Sequence, residues 1–405
     1  MDKIDYNSEN QISLISTEKW NHIISMIWLY VMIFPTGTIF NVSIPLLFLL
    51  IFDVKNRYNQ ILIPLLLLMI PTAFLNLGQP YLDYKSYVRL LSFALIFLTF
   101  ASYKGNKILF PYVLFAVCYI LLSQISIILS LPFFGHFFDS TYSITELVMT
   151  NHSVDMSKVE VTDLAVNNRM GGIYINPNNC SSYISVAYAV GLCEAERNNL
   201  KQKILFYLFI ALSMISTLIT GSRTGFLVIG VITLFYLYSR GYRIGKFILL
   251  SIPFLILLMA KDLSDVRAFN VSEGMEGSFG VKMQLFFDYL SECTNPIWLL
   301  FGAGDITITN TIIHLGTDGT DFDFGNIFIV FGALFYIMYV LTCFRFFRML
   351  DVQYRVIMFV LLWSFSNSIL ISYRMCPVFF LALGLFYRRS CHDIEDAYVV
   401  NDRLN

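Results

Sequence analysis

Charged side chains are scarce in this chain: Asp, Glu, Lys and Arg together supply 14% of its 405 residues, against 57% hydrophobic residues and a mean hydropathy of +0.67. That scarcity excludes an ordinary soluble domain, where about a quarter of the residues carry charge. Patterned cysteine is missing too. The 7 cysteines form no CxxC pair and no Cys/His cluster, and Cys118 and Cys343 fall inside apolar runs, so no metal site or disulfide framework is implied. A lone bridge between Cys180 and Cys293 stays open. No internal repeat, low-complexity tract or Pro/Ser-rich linker divides the chain, which reads as a single membrane domain over 1–405. The opening residues mix Asp2, Asp5, Glu9 and Glu18 with Lys3 and Lys19. No cleavable signal peptide is therefore expected, and the first apolar run should act as its own insertion signal.

What the chain does have is apolar runs. About twelve approach the length of ~20 residues needed to cross a bilayer, near 20–36, 38–52, 61–77, 87–103, 108–131, 176–193, 203–220, 224–240, 244–260, 325–344, 354–372 and 375–388. Pro35 and Gly37 mark either a true hairpin or one broken segment. The expected fold class is therefore an all-α polytopic membrane protein. Connections carrying Lys55/Arg57, Lys104/Lys107, Arg197/Lys201/Lys203, Arg240/Arg243/Lys246, Arg345/Arg348/Arg355 and Arg388/Arg389 alternate with connections poor in basic residues. The positive-inside rule makes all of these cytoplasmic, and both termini with them.

The segments left facing outward are unequal: short links at 78–86, 220–224 and 373–374, and long ones at 132–175 and 261–324. Outer loops of that size suit an enzyme working on an externally presented substrate. Within them lie Arg169, Arg223, Arg267 and Arg374, with Arg89 just inside the membrane boundary. In the last long loop Val281, Leu285, Phe286, Tyr289 and Leu290 recur at helical spacing opposite Lys282, Asp288 and Glu292, the pattern of a helix that either lies in the membrane interface or packs onto the bundle.

The sharpest local feature is Thr220-Gly221-Ser222-Arg223-Thr224-Gly225, a turn between the apolar runs 204–219 and 226–238. It puts a permanent cation at the tip of a helical hairpin. A guanidinium there can fork onto a phosphate, or snorkel to the lipid headgroups. Three more stretches share its character: Asn168-Arg169-Met170-Gly171-Gly172 with Asn176-Pro177-Asn178, Trp298-Leu299-Leu300-Phe301-Gly302-Ala303-Gly304, and Gly325-Asn326 leading to Phe331-Gly332. Asn176 and Pro177 fit the cap and first position of a helix whose N-terminus could face an anion.

In this order and sidedness the four stretches resemble the O-antigen polymerase (Wzy) and O-antigen ligase superfamily, over roughly residues 165–340. The resemblance implies a GT-C-like helical glycosyltransferase of the bacterial inner membrane, acting at the periplasmic face on undecaprenyl-diphosphate-linked oligosaccharide. It implies two long periplasmic loops, 132–175 and 261–324, and a chain-length regulator protein as a partner beside the membrane lipids. No nucleic acid is expected. In ligase relatives a histidine usually precedes the asparagine that opens the helix after the long loop. Here that place reads Asp321-Phe322-Asp323-Phe324-Gly325-Asn326, and the departure favours polymerase over ligase.

Polymerisation from a lipid diphosphate requires the departing pyrophosphate to be stabilised, which preorganised cations do best. Arg169 and Arg223 are the leading ligands, with Arg267 and Arg374 behind them. The acceptor hydroxyl needs a proton acceptor. Asp321 and Asp323 are the first candidates and His314 the second, while a solvated acidic turn is the plain alternative. Asp321-Phe322-Asp323 also has the form of a D-x-D metal element, but no metal and no cofactor are expected. His136, His152, Glu146, Asp155, Glu160 and Asp163, with Tyr142 and Tyr174, decorate the first long loop, where sugars would need partners. A lipid-linked oligosaccharide flippase is the reading from a different class. It predicts ionisable residues within the spans and short loops on both sides, and the spans here are nearly charge-free.

Overall fold

The computed structural model describes residues 19–30, 67–75, 84–102, 109–129, 171–173, 177–197, 204–239, 278–304, 323–362 and 378–390, with residues 45, 46, 49 and 77. Every regular element among the described residues is an α-helix, and none is a strand. We number them α1 (19–30), α2 (67–75), α3 (Tyr84–Ser102), α4 (Leu109–Leu129), α5 (Pro177–Arg197) and α6 (Ile204–Ile219). There follow α7 (Arg223–Ser239), α8 (Ser278–Glu292), α9 (Pro296–Phe301), α10 (Asp323–Met349), α11 (Val352–Leu362) and α12 (378–390).

The burial pattern of α6 is inverted relative to a helix in water. Its buried residues are Phe206, Phe209, Ser213, Ser216 and Thr217, at spacings of a helical face. The large apolar side chains Ile204 (82% exposed) and Tyr207 (60% exposed) point away from the protein, with Leu208, Ile215 and Leu218. Water would reject that outer face, whereas hydrocarbon accepts it, and small hydroxyl-bearing residues are the ones that let membrane helices approach closely. The hydroxyls stay satisfied by bonding back one turn, Ser213 to the Phe209 carbonyl (2.8 Å) and Thr217 to the Ser213 carbonyl (2.9 Å). Gly325–Met349, with hydropathy 2.4, is long and apolar enough to cross a membrane. Shorter apolar helices occur at Leu90–Ala101, Leu109–Ile125, Ile204–Ile219, Thr224–Tyr238 and Val352–Leu361. These features support a membrane protein.

One hydrophobic cluster runs through α1 to α7 and α10 to α12. α4 packs on α5 and α6, α7 packs on α5, and α11 lies against both α7 and α5. Aromatic rings bind α3 to the C-terminal helices: Phe93 stacks on Phe380 (5.4 Å between centroids) and Phe97 meets Phe346 edge-on (4.8 Å). Close backbone approach does the rest. A Cβ on Gly384 of α12 would lie 2.6 Å from the Phe97 carbonyl oxygen of α3, so only glycine allows the two helices to pack at this separation.

The ends of the chain's C-terminal helices are tied by polar groups. Arg355 donates to the carbonyls of Phe347 (3.0 Å), Arg348 (3.1 Å) and Leu350 (2.9 Å), covering carbonyls that the end of α10 leaves without helical partners. Glu194, fully buried near the end of α5, forms an ion pair with Arg389 near the end of α12. The Ser390 hydroxyl accepts from the Asp351 N–H (2.8 Å) beside it.

The structure adds detail to the sequence reading in two places. The 325–344 run lies within the membrane-length stretch Gly325–Met349 and carries a kink at Gly332, whose φ of 80° and ψ of 174° are non-helical. Cys180 and Cys293 are both free thiols, and they lie in different hydrophobic clusters, so no bridge joins them. Breaking a buried pair leaves an uncompensated charge. Glu194→Ala should therefore lose about 3–5 kcal/mol of stability, and Glu194→Leu with Arg389→Met should recover most of it. Melting curves of the micelle-embedded protein check both.

Candidate functional site

The four sequence motifs form two junctions, each built around glycines that a side chain would destroy. The first joins the Gly171-Gly172 turn to the hairpin that bears Arg223. α6 ends as Gly221 turns into the left-handed region (φ 59°), with its N–H bonded to the Leu218 carbonyl (2.9 Å). Ser222 then caps α7: its hydroxyl accepts from the Gly225 N–H (3.3 Å), and its carbonyl accepts the first helical bond from Phe226 (3.0 Å). Thr220 locks the link, its hydroxyl bonded to the Thr217 carbonyl (2.6 Å) and to the Ser222 N–H (3.2 Å). Arg223 is thus the first residue of a helix. At such a terminus the backbone dipoles add to a cation's attraction for anions.

Gly225 seats that helix. A Cβ there would lie 2.6 Å from both Cβ and Oγ of Ser181, in the first turns of α5. α5 itself begins at Pro177, the position where proline's missing N–H costs nothing. Just upstream in sequence, Gly172 (φ 59°) presses on α4: a Cβ would collide with the Ser123 hydroxyl and come within 3.1 Å of Gln124. Ser123 accepts the Ile173 N–H (3.1 Å) and donates to the Ile120 carbonyl (2.6 Å). The neighbouring Gln124 reaches α6: its amide nitrogen donates to the Ser216 carbonyl (3.1 Å), and its amide oxygen accepts the Ser216 hydroxyl (2.7 Å). The Gly171–Ile173 turn and the last turns of α6 are therefore anchored to one pair of adjacent residues on α4.

The second junction merges the other two motifs. Asn295 caps α9 through the Ile297 N–H (3.0 Å), Pro296 opens it, and Gly302 (φ 85°, ψ 158°) ends it. The chain then docks into the interruption of α10. Ala303 and Gly304 donate to the carbonyls of Ile329 (2.8 Å) and Val330 (3.1 Å), and Thr72 of α2 donates to that of Phe331 (3.4 Å). Neither backbone leaves room for a side chain: a Cβ on Gly332 would lie 2.5 Å from the Leu300 carbonyl, and one on Gly302 would lie 2.5 Å from the Val330 carbonyl carbon. α8 covers this junction, with Tyr289, Cys293, Ala303 and Ile329 buried together and Phe286 edge-on to Phe328 (5.5 Å). Burial and the neighbouring Cys293 thiol push the Tyr289 hydroxyl well above its ordinary pKa, so it stays protonated.

Of the residues singled out in the sequence, Arg223 opens α7 and Asp323 opens α10 by their backbones. Arg169, Arg267, Arg374, Asp321 and His314 lie outside the described residues, as do His136, His152 and the acidic residues of the first long loop. Among the described residues no group of His, Cys, Asp or Glu is arranged to hold a metal ion. Sequence reasoning passed over Ser123 and Gln124, although an adjacent hydroxyl and amide inside Leu-Leu-Ser-Gln-Ile-Ser was signal enough for a buried polar anchor. No family model, no curated protein and no solved structure matches this chain.

Two glycines of α7 offer a direct test. Gly225→Ala should destabilise by about 1–3 kcal/mol, the cost of overpacking against Ser181. A Cβ on Gly230 meets nothing within 4 Å, so Gly230→Ala should be neutral or stabilise by up to ~1 kcal/mol. Parallel melting of the two variants reads the difference.

Proposed function

We propose that this protein is an O-antigen polymerase of the bacterial inner membrane, with about twelve spans and both termini cytoplasmic. It transfers a growing polysaccharide from undecaprenyl diphosphate to the terminal sugar of a new lipid-linked repeat unit at the periplasmic face. The observation that carries this reading is the first junction. Ile173 is held by Ser123 and Ser216 of α6, four residues before Thr220, is held by the adjacent Gln124, and Arg169 lies two residues before Gly171, within ~7 Å along the chain. Adjacent residues of α4 thereby link the segment that follows Arg169 in sequence to the helix that leads to Arg223, which supports a pyrophosphate clamp formed by the two.

The contacts also suit the proposed sidedness. The topology expected from the basic residues puts the Glu194–Arg389 pair, the Asp351–Ser390 contact and the Trp20–Leu49 hydrogen bond (2.9 Å) all in the cytoplasmic layer. It puts both motif junctions in the periplasmic half. No contact described above joins residues assigned to opposite faces.

In the proposed reaction the acceptor sugar hydroxyl attacks the anomeric carbon of the donor, whose bond to the diphosphate oxygen breaks. Arg169 and Arg223 stabilise the departing diphosphate, and Arg267 and Arg374 are placed by sequence to assist at the rim. The hydroxyl proton passes to Asp321 or Asp323, or to His314. No metal is assigned to the step.

The flippase reading gains one observation, the break in α10, because transporters often use interrupted helices at mid-membrane. In this chain the break is filled by backbone from Ala303 and Gly304. A strain deleted for the gene separates the readings: a polymerase defect leaves lipopolysaccharide capped by a single repeat unit, whereas loss of that unit as well indicates a flippase or a ligase. In the complemented strain, Arg223→Ala should lower polymerisation by about 100-fold or more at normal protein levels, the cost of one lost transition-state donor. Arg223→Lys and Arg169→Lys, which keep charge but lose the fork, should shorten the ladder. Undiminished ladders in both lysine variants would remove the clamp.

A further inference from the structure

We propose that Gln124 is a positioning residue that holds the Gly171–Ile173 turn, which follows Arg169 in sequence, and the hairpin that leads to Arg223 in a single frame. The proposal rests on the polymerase reading for its chemical meaning and on geometry alone for the coupling. Gln124, Ser123, Ser216 and Cys180 are all fully buried. The Gln124 amide nitrogen donates to the Ser216 carbonyl (3.1 Å) and approaches the Cys180 sulfur of α5 (3.8 Å), while its oxygen accepts the Ser216 hydroxyl (2.7 Å). One side chain thus touches both helices that lead to the two turns.

The Ser216 carbonyl is shared. It also accepts from the Thr220 N–H (3.3 Å), and the Thr220 hydroxyl holds the Ser222 N–H (3.2 Å) ahead of Arg223. From Gln124 to the cap of α7 the path is therefore a few consecutive hydrogen bonds, with no flexible side chain between them. On the other side, the peptide bond joins Gln124 to Ser123, whose hydroxyl fixes the Ile173 N–H (3.1 Å). A buried amide is costly in apolar surroundings unless it is fully used, and this one is used to tie two turns rather than to fill space. Two cations act on one diphosphate only if their separation is set before the substrate arrives, and misplacement by about 1 Å costs about 100-fold.

The test compares Gln124→Met, which keeps the side-chain length and removes both polar atoms, with Ser216→Ala, which removes one hydroxyl and leaves the carbonyl. Full-length protein in nanodiscs is assayed for extension of an undecaprenyl-diphosphate-linked repeat unit over a range of donor concentrations. Gln124→Met should lower kcat by about 10- to 100-fold with KM within about threefold, and Ser216→Ala should lose less. Spin labels at Asn179→Cys and Leu227→Cys, in a background without reactive native cysteines, read the frame directly: Gln124→Met should broaden the distance distribution. An unchanged kcat together with an unchanged distribution overturns the proposal, as does a rate loss that only tracks the loss of folded protein. If the unsubstituted protein extends no chain, the polymerase reading fails by itself. The spin-label distances then still decide the coupling, and an unbroadened distribution rejects it.

Discussion

Inside an apolar bundle a backbone carbonyl that loses its helical partner must find another, because neither lipid nor a packed core can solvate it. The second junction is organised by that requirement. Once Gly332 leaves helical geometry, the carbonyls of Ile329, Val330 and Phe331 take Ala303, Gly304 and Thr72 as donors. The interruption and the segment that fills it are one structural unit, although well over twenty residues separate them in the chain. Thr72 brings in α2 as a third strut. The cover supplied by α8, through Tyr289 and Phe286, then keeps the seam apolar on its remaining side.

The first junction meets the same requirement with side chains. Here the α6–α7 link is too short for a helix to continue, and serine and threonine hydroxyls take over the backbone groups one by one, from Thr217 to Ser222. Gln124 supplies what the hydroxyls cannot reach. The two junctions therefore divide the labour: one fixes where the chain crosses a broken helix, the other fixes the first turn of α7, which Arg223 opens.

The helical class, the hairpin at Gly221 and the proline start of α5 were legible in the sequence, because each depends on local chemistry: apolar run length, a glycine at a left-handed position, a proline at a first turn. The break at Gly332 was not. Its glycine sits in an unbroken apolar run, and only a distant segment with spare N–H groups makes the interruption affordable. The same holds for Gln124, whose meaning depends on α5 and α6 lying beside it. Of the candidate site, the Arg223 turn could be read directly from Thr-Gly-Ser-Arg-Thr-Gly. The link of α6 and of the Gly171-Gly172 turn to adjacent residues of α4 could not, since no local pattern encodes which helices become neighbours.

The docking of Gly302–Gly304 into α10 is made by main-chain atoms on both sides. Such a seam is nearly blind to side-chain identity at Ile329 and Val330, whose carbonyls accept whatever residue bears them. It is acutely sensitive to length instead. An insertion of one residue between Gly302 and Gly304 would slide both backbone donors off their acceptors. Relatives of this chain, however far their sequences have drifted, should therefore keep the spacing of the seam.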